Sequence, residues 1–229
     1  EHLNDKHITA VSYEYIEDPA GGQPVIRSLS EIAGSTVMLI AAEYLSSANK
    51  GQGIILGGIT GVPPTKVVII GAGTVAEYAA RTALGLGAEI KIFDQHIYRL
   101  RRLKYAIGQN IYTSIIESDT LSEAIQRADV VIGALRPNEG YSLHVVTEEM
   151  VARMKPNSVI IDVSIDQGGC IETARITTHK DPIYRVHDVI HYCVPNIASR
   201  VGHTASMALS NVFLPMLLKM GHAGGVEQM

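Results

Sequence analysis

The chain has 229 residues, 46% hydrophobic and 18% charged, with a formal net charge of −4 and a pI near 6.1. Folding would reduce its surface from roughly 36,000 Å² to roughly 10,000 Å², enough burial for a core without disulfide or metal staples. The mild acidity excludes the basic footprint of nucleic-acid or anionic-membrane binding, and the composition excludes a disordered chain.

Cys170 and Cys193 are too few for a disulfide framework, and they lack metal-ligand spacing. No signal peptide is visible. The longest apolar stretch, Met207 to Leu218, is broken by Ser210, Asn211 and Pro215 and is too short for a bilayer. A reducing, cytoplasmic setting is expected. The sequence opens on Glu1 rather than Met and ends Gly-Gly-Val-Glu-Gln-Met, which reads as a piece of something larger.

In chain order, residues 7–13 are predicted as a short strand, followed by turn-rich Asp18-Pro-Ala-Gly-Gly22. Ser28-Leu-Ser-Glu31 has the capping-box pattern, predicting a helix that starts there and ends near Asn49. That helix is apolar on more than one side and should be packed on more than one side. After Gly57-Gly58-Ile-Thr-Gly61-Val-Pro63-Pro64, strands alternate with helices. Strands are predicted at 66–70, 89–93, 111–115, 129–132, 158–163 and 189–193. Helices are predicted at 76–86 and 96–107, then one ending near Ala128, and further helices at 147–154 and 203–219. Residues 164–188 show little periodicity. Continuous Val/Ile strands between helices predict an α/β fold, a doubly wound parallel sheet covered on both faces. The expected division is 1–60 as connector and remnant of a second domain, 61–205 as the nucleotide-binding unit, and 206–229 as a returning helix and tail.

The most informative stretch is Val67-Val-Ile-Ile-Gly71-Ala-Gly73-Thr-Val-Ala76, a G-x-G-x-x-A loop directly between strand and helix. Gly71 permits the turn, Gly73 admits a pyrophosphate to the backbone, and Ala76 lets helix and strand approach. The helix N-terminus offers amides and partial positive charge to phosphates. Asp94 ends the second strand about 20 residues further on, where a carboxylate accepts ribose hydroxyls and repels a 2′-phosphate. That pattern favours NAD over NADP. A methyltransferase could use a similar loop and acid.

From about Thr9 onward the chain resembles the alanine dehydrogenase family, relatives of the NAD-binding subunit of transhydrogenases. The resemblance is carried by Ser30-Glu-Ile-Ala-Gly34, Leu56-Gly-Gly-Ile-Thr-Gly-Val-Pro63, the glycine loop, Ala128-Asp-Val-Val-Ile-Gly-Ala134 and Met154-Lys-Pro. Its most specific part is Ile165-Asp-Gln-Gly-Gly-Cys170, followed by Thr177-Thr-His and His191-Tyr-Cys-Val-Pro-Asn196. The resemblance implies NAD-dependent oxidative deamination of L-alanine to pyruvate and ammonia. Carried over residue by residue, Asp166 is the active-site carboxylate, with Asp162 its rival. Ser30 meets the pyrophosphate, Asp94 the ribose and Arg99 the adenosine side, although Arg99 could be one more solvated charge. Leu135, Val163 and Asn196 line the nicotinamide side.

The family has Ala at Pro195 and Met-Pro at Ile197-Ala198, and the loop Leu135–Gly140 also departs from its pattern. These departures bear on the nicotinamide pocket. His191 and His203 match no family base and receive no role, and the cysteines read as small buried residues. The resemblance also implies a preceding substrate domain whose arginine, lysine and histidine would bind L-alanine or pyruvate and transfer protons. It implies a homo-oligomer, hexameric in the family. The rival readings are a transhydrogenase-type subunit and a non-catalytic nucleotide-binding module.

Overall fold

The computed structural model describes residues 2–6, 8–135 and 144–225. Its centre is a seven-stranded sheet of order β3-β2-β1-β4-β5-β7-β6. The strands are β1 (Lys66–Ile70), β2 (Glu89–Asp94), β3 (Tyr112–Ile115), β4 (Val130–Gly133), β5 (Val159–Asp162), β6 (Ile183–Val186) and β7 (Val189–Tyr192). Every neighbouring pair is parallel except β6 against β7. The predicted doubly wound α/β architecture is therefore present, with one antiparallel strand at an edge.

Side-chain alternation divides the core. Val67, Ile69, Ile90, Ile92, Val130 and Ile132 face one apolar cluster, joined by the small residues of α3 (Thr74–Gly85) and by Leu100 and Leu103 of α4 (Ile97–Ile107). Val68, Ile70, Phe93 and Val131 face the other, under α5 (Ser118–Gln126) and α6 (Glu148–Ala152). Both faces are covered, so the strands carry near-continuous apolar runs.

The long helix α2 (Pro24–Leu45) packs on α3 and α7 (Gly202–Ala223). A single-turn helix, α1 (His2–Asp5), precedes them. By length and composition α2 and the helical run Ile197–Ala223, which includes α7, could each cross a membrane, so the apolar stretch Met207 to Leu218 belongs to a longer helix than its sequence suggests. For α2 its apolarity is explained by packing: Val37, Met38, Ile40, Ala41 and Leu45 are buried in the first cluster. In α7 only Ala205 is buried, while Met207, Leu214, Leu217 and Leu218 are more than half exposed. The accessible surface, 12763 Å², accordingly exceeds the roughly 10,000 Å² of a compact globule of this mass.

Three expectations are corrected. Residues 8–12 form no strand; Tyr13 instead opens a short 3-10 turn and packs edge-on against Phe213. Helix α2 starts at Pro24, four residues before the expected cap. Proline is favoured at a first helical position because it has no amide to leave unsatisfied. Ser28 then lies inside the helix, donating to the Pro24 carbonyl at 3.0 Å, and Glu31 pairs with Arg27. The stretch 164–188, which shows little periodicity, contributes β6. Its hairpin with β7 turns through His187 and Asp188, both in the left-handed region, without the glycine that advertises such a turn.

Candidate functional site

Sheet order reverses its direction of winding between β1 and β4, and there the loops after the strands part to form a groove. In a doubly wound sheet this is where ligands bind. The two loops meet closely: the Ala134 amide donates to the Ile70 carbonyl at 2.8 Å. A Cβ on Gly71 would lie 2.3 Å from the Ala134 carbonyl oxygen, and Gly71 has φ +110°. Only glycine satisfies both conditions. At Gly73 the reason differs. A Cβ there would meet nothing within 4 Å, so the loop is open to the groove at the point where α3 begins. No side chain caps α3. Its free first-turn amides suit an anion. Ala76 is fully buried between helix and sheet.

Helix α2 roofs this groove because of Gly34. A Cβ at Gly34 would come within 2.4 Å of the Val75 carbonyl oxygen, so the absence of a side chain sets the closeness of α2 to α3. Ser30, one turn earlier, thereby lines the groove beside Gly73, Thr74 and Val75. This gives the Ser30–Gly34 stretch a physical reason. The Leu56–Pro63 stretch has another. A Cβ at Gly57 would sit 2.2 Å from the Leu86 carbonyl oxygen, so this stretch packs on the α3–β2 turn at the opposite end of the strands, away from the groove.

The groove comprises two adjoining cavities that share Ile26, Ser30, Val75 and Ala134. One, of about 470 Å³, brings together Ser30, Gly73, Asp94, Arg99 and Leu135. The other, of about 260 Å³, brings together Ser30, Val163, Asp166 and Asn196. Thus Leu135, expected on the nicotinamide side, borders the cavity that holds Asp94. The remaining expected positions, Gly71 and Ala76, shape the loop from behind.

Asp94 is completely buried, and both its oxygens are engaged: Oδ2 accepts from the Ala72 amide at 2.7 Å and Oδ1 from the His96 amide at 2.8 Å. Each oxygen keeps a further acceptor position, and the side chain borders the larger cavity. Arg99 rests near the Tyr98 ring and donates to its hydroxyl at 3.3 Å. Sequence reading missed Arg102, whose guanidinium donates to the Ala72 carbonyl at 3.0 Å. It was hidden in a run of basic residues.

On the smaller cavity, Asp166 is exposed at the tip of a 3-10 turn, Ile165–Gln167, whereas its rival Asp162 is buried below. Burial pushes the Asp162 carboxyl up from the usual carboxylate range. Asn196 takes a left-handed conformation, φ 54°. Its carbonyl accepts from the Ser199 amide at 2.9 Å and the Ser199 hydroxyl at 2.7 Å, and His179 stands 2.8 Å from that hydroxyl. The Thr177-Thr-His179 stretch therefore supports the Asn196 turn. Pro195 precedes that turn, and Ile197 and Ala198 line the smaller cavity after it. The departure noted at Arg136–Gly140 lies outside the described residues.

Both cysteines are free and buried, and burial raises both thiols, that of Cys193 to about 11. Neither is a thiolate nucleophile at neutral pH. His191 is buried in β7 and held by hydrogen bonds on both ring nitrogens, away from the groove. Among the described residues, no three His, Cys, Asp or Glu side chains converge as a metal site.

A glycine loop, an open helix start and a buried acid after the second strand define a dinucleotide-binding domain of the doubly wound class. The chain belongs to the alanine dehydrogenase/PNT family: residues 37–229 match the family's C-terminal domain. It is 41% identical over 216 residues to an alanine dehydrogenase of Mycolicibacterium smegmatis, covering 94% of this chain and 58% of that protein. An alanine dehydrogenase of Bacillus subtilis is 42% identical over 226 residues, covering 98% and 60%. A solved L-alanine dehydrogenase superposes with a TM-score of 0.91 at 39% identity, over 97% of this chain and 62% of that one. A transhydrogenase from Sinorhizobium meliloti, with a TM-score of 0.78 at 24% identity over 96% and 63%, shares the fold. The chain spans about three fifths of the length of its alanine dehydrogenase relatives. Family and fold imply a nicotinamide dinucleotide cofactor, and the residues present fit one: open backbone at Gly73, an uncapped helix start, and a carboxylate at Asp94.

Proposed function

We propose that this chain is the NAD-binding portion of a cytoplasmic, homo-oligomeric alanine dehydrogenase that oxidatively deaminates L-alanine to pyruvate and ammonia. The observation carrying this reading is that Ser30, Gly73 and Asp94 line one cavity and Asp166 and Asn196 its neighbour. The first set suits the adenosine and pyrophosphate, the second the reacting end. The bound nicotinamide would supply the hydride acceptor. Gly73 and the start of α3 hold the diphosphate, and Ser30 adds a hydroxyl from the roof. Asp94 offers its remaining lone pairs to the ribose and repels a 2′-phosphate, which selects NAD. Asn196 can pair with a carboxamide through both donor and acceptor.

Asp166 contributes charge. Loss of hydride from the substrate carbon leaves a cationic imine, and a fixed carboxylate beside it stabilises that charge as it develops. Carboxylate anchoring and proton transfer are assigned to the part of the relatives that this chain does not span. The 229 residues alone are expected to bind NADH more tightly than NADPH and to give no alanine-dependent NADH. Fluorescence titration and a turnover assay check both. Failure to bind NADH, or robust alanine oxidation by these residues alone, overturns the reading. In the whole enzyme, Asp166→Asn is expected to lower kcat by about 100-fold or more. Light scattering reads the assembly.

A further inference from the structure

Asp162 ends β5 beneath the loop that presents Asp166, and its side chain has no exposed surface. Its Oδ1 accepts from the Ser164 amide at 3.0 Å and the Ser164 hydroxyl at 2.8 Å, and its Oδ2 from the Cys170 amide at 2.9 Å. Ser164 and Cys170 are the two ends of one loop. Within it, the Gln167 and Gly169 amides donate to the Ser164 carbonyl at 2.9 and 3.0 Å, and left-handed Gly168 and Gly169 return the chain. Asp166 is left at the tip, on the smaller cavity.

The space around the carboxylate is equally specific. A Cβ on Gly169 would lie 2.7 Å from Oδ2, and one on Gly133 would lie 3.1 Å from Oδ1 and 2.8 Å from the Cys170 sulfur. Each carboxylate oxygen meets a fixed backbone N–H, and Oδ1 also meets the Ser164 hydroxyl, so an amide in its place would turn its own N–H toward one of the two backbone donors. Asp162 does not line the groove, whereas Val163, Ser164 and Asp166 do.

We propose that Asp162 is the positioning residue of this site, its carboxylate stapling both ends of the Ser164–Cys170 loop and so fixing Val163 and Asp166 against the nicotinamide end of the groove. This rests on the assignment of Asp166 above. Deleting a buried hydrogen bond to a charged group costs enough to open the loop locally while the sheet stays intact.

The test uses this chain, its Asp162→Asn and Ser164→Ala variants, and two probes. NADH occupies the whole groove, and ADP-ribose only the adenosine and pyrophosphate end. In Asp162→Asn, hydrogen exchange at the Cys170 amide should accelerate at least about tenfold. NADH affinity should fall about fivefold while ADP-ribose affinity stays within about twofold, and the carboxyl carbon resonance of Asp166 should shift. Ser164→Ala removes one donor and should weaken NADH about threefold relative to ADP-ribose. Unchanged Cys170 exchange and an unchanged NADH to ADP-ribose ratio would overturn the proposal, as would equal loss of both ligands. If Asp162→Asn does not fold, Ser164→Ala decides by the same ratio. If the unsubstituted chain binds neither probe, the cofactor reading fails, and the exchange measurement still judges the staple.

Discussion

Ala72 lies between the two loop glycines, and its backbone is held on both sides, the amide by Asp94 and the carbonyl by Arg102. On the proposed reading Asp94 meets the ribose and, through the Ala72 amide, also fixes the glycine loop, so it acts on affinity twice. Asp94→Ala is therefore expected to weaken NADH binding at least about tenfold, the scale of a lost hydrogen bond to a charged group. NADPH should lose less, because the repulsion of its extra phosphate disappears together with the loop support. Parallel titrations with both nucleotides measure this, and unchanged affinities for the two would sink the ribose assignment. At Gly34 the contact is steric. A methyl group 2.4 Å from the Val75 carbonyl oxygen would force α2 away from α3, so Gly34→Ala should cost about 1–3 kcal/mol in urea unfolding. It should also weaken NADH, since Ser30 moves with the helix. Full stability in the variant would refute this account of the crossing.

Element boundaries depend on how local chemistry competes with tertiary context. The β1-loop-α3-β2 unit was readable because each local signal there agrees with the others: a β-branched run, a glycine loop, a small-residue helix and an acid. The start of α2 is ambiguous in sequence because two start signals compete within eight residues, and Pro24 prevails over Ser28. For β6, the hairpin turn uses His187 and Asp188 at φ 50° and 60°, where Asn-Gly would have announced it. The candidate site was legible in its residues but not in their burial: nothing in the sequence says that Asp94 and Asp162 are enclosed while Asp166 is exposed. The hairpin also yields a stability prediction. Asp188 contributes its backbone carbonyl to the Asn157 amide and to Arg185, bonds that glycine would keep. Relieving a left-handed non-glycine residue should stabilise, so Asp188→Gly should add about 0.5–1 kcal/mol. A fall in the unfolding midpoint would show that the Asp188 side chain does more than the turn requires.

At the scale of the whole molecule, the packed sheet builds one source of acid sensitivity into the fold, His191, which β7 buries beside β5 and β6. Its Nδ1 lies 3.0 Å from the Val189 carbonyl, an acceptor only, so Nδ1 carries the proton; Nε2 then accepts from the Thr173 hydroxyl at 2.8 Å. The neutral ring is satisfied. Tyr184 stacks on it at 5.0 Å, and Arg175 and His187 oppose a further positive charge. Desolvation first, then those charges, lower its pKa from 6.5 to about 4. The unfolded chain thus binds the proton more readily, and this contribution is complete above about pH 6.5 and lost as pH falls toward 4. The ceiling is about 3 kcal/mol, and partial hydration of the ring at low pH would reduce it. Asp162 acts in the opposite sense: its raised pKa means the fold gains stability as that carboxyl protonates. The comparison that isolates the histidine is with His191→Gln, which cannot titrate. Thermal midpoints of both chains, followed from pH 7 to 4.5, should converge as the pH falls, because only the histidine chain carries this loss. Parallel curves would mean that the acid sensitivity arises elsewhere in the fold.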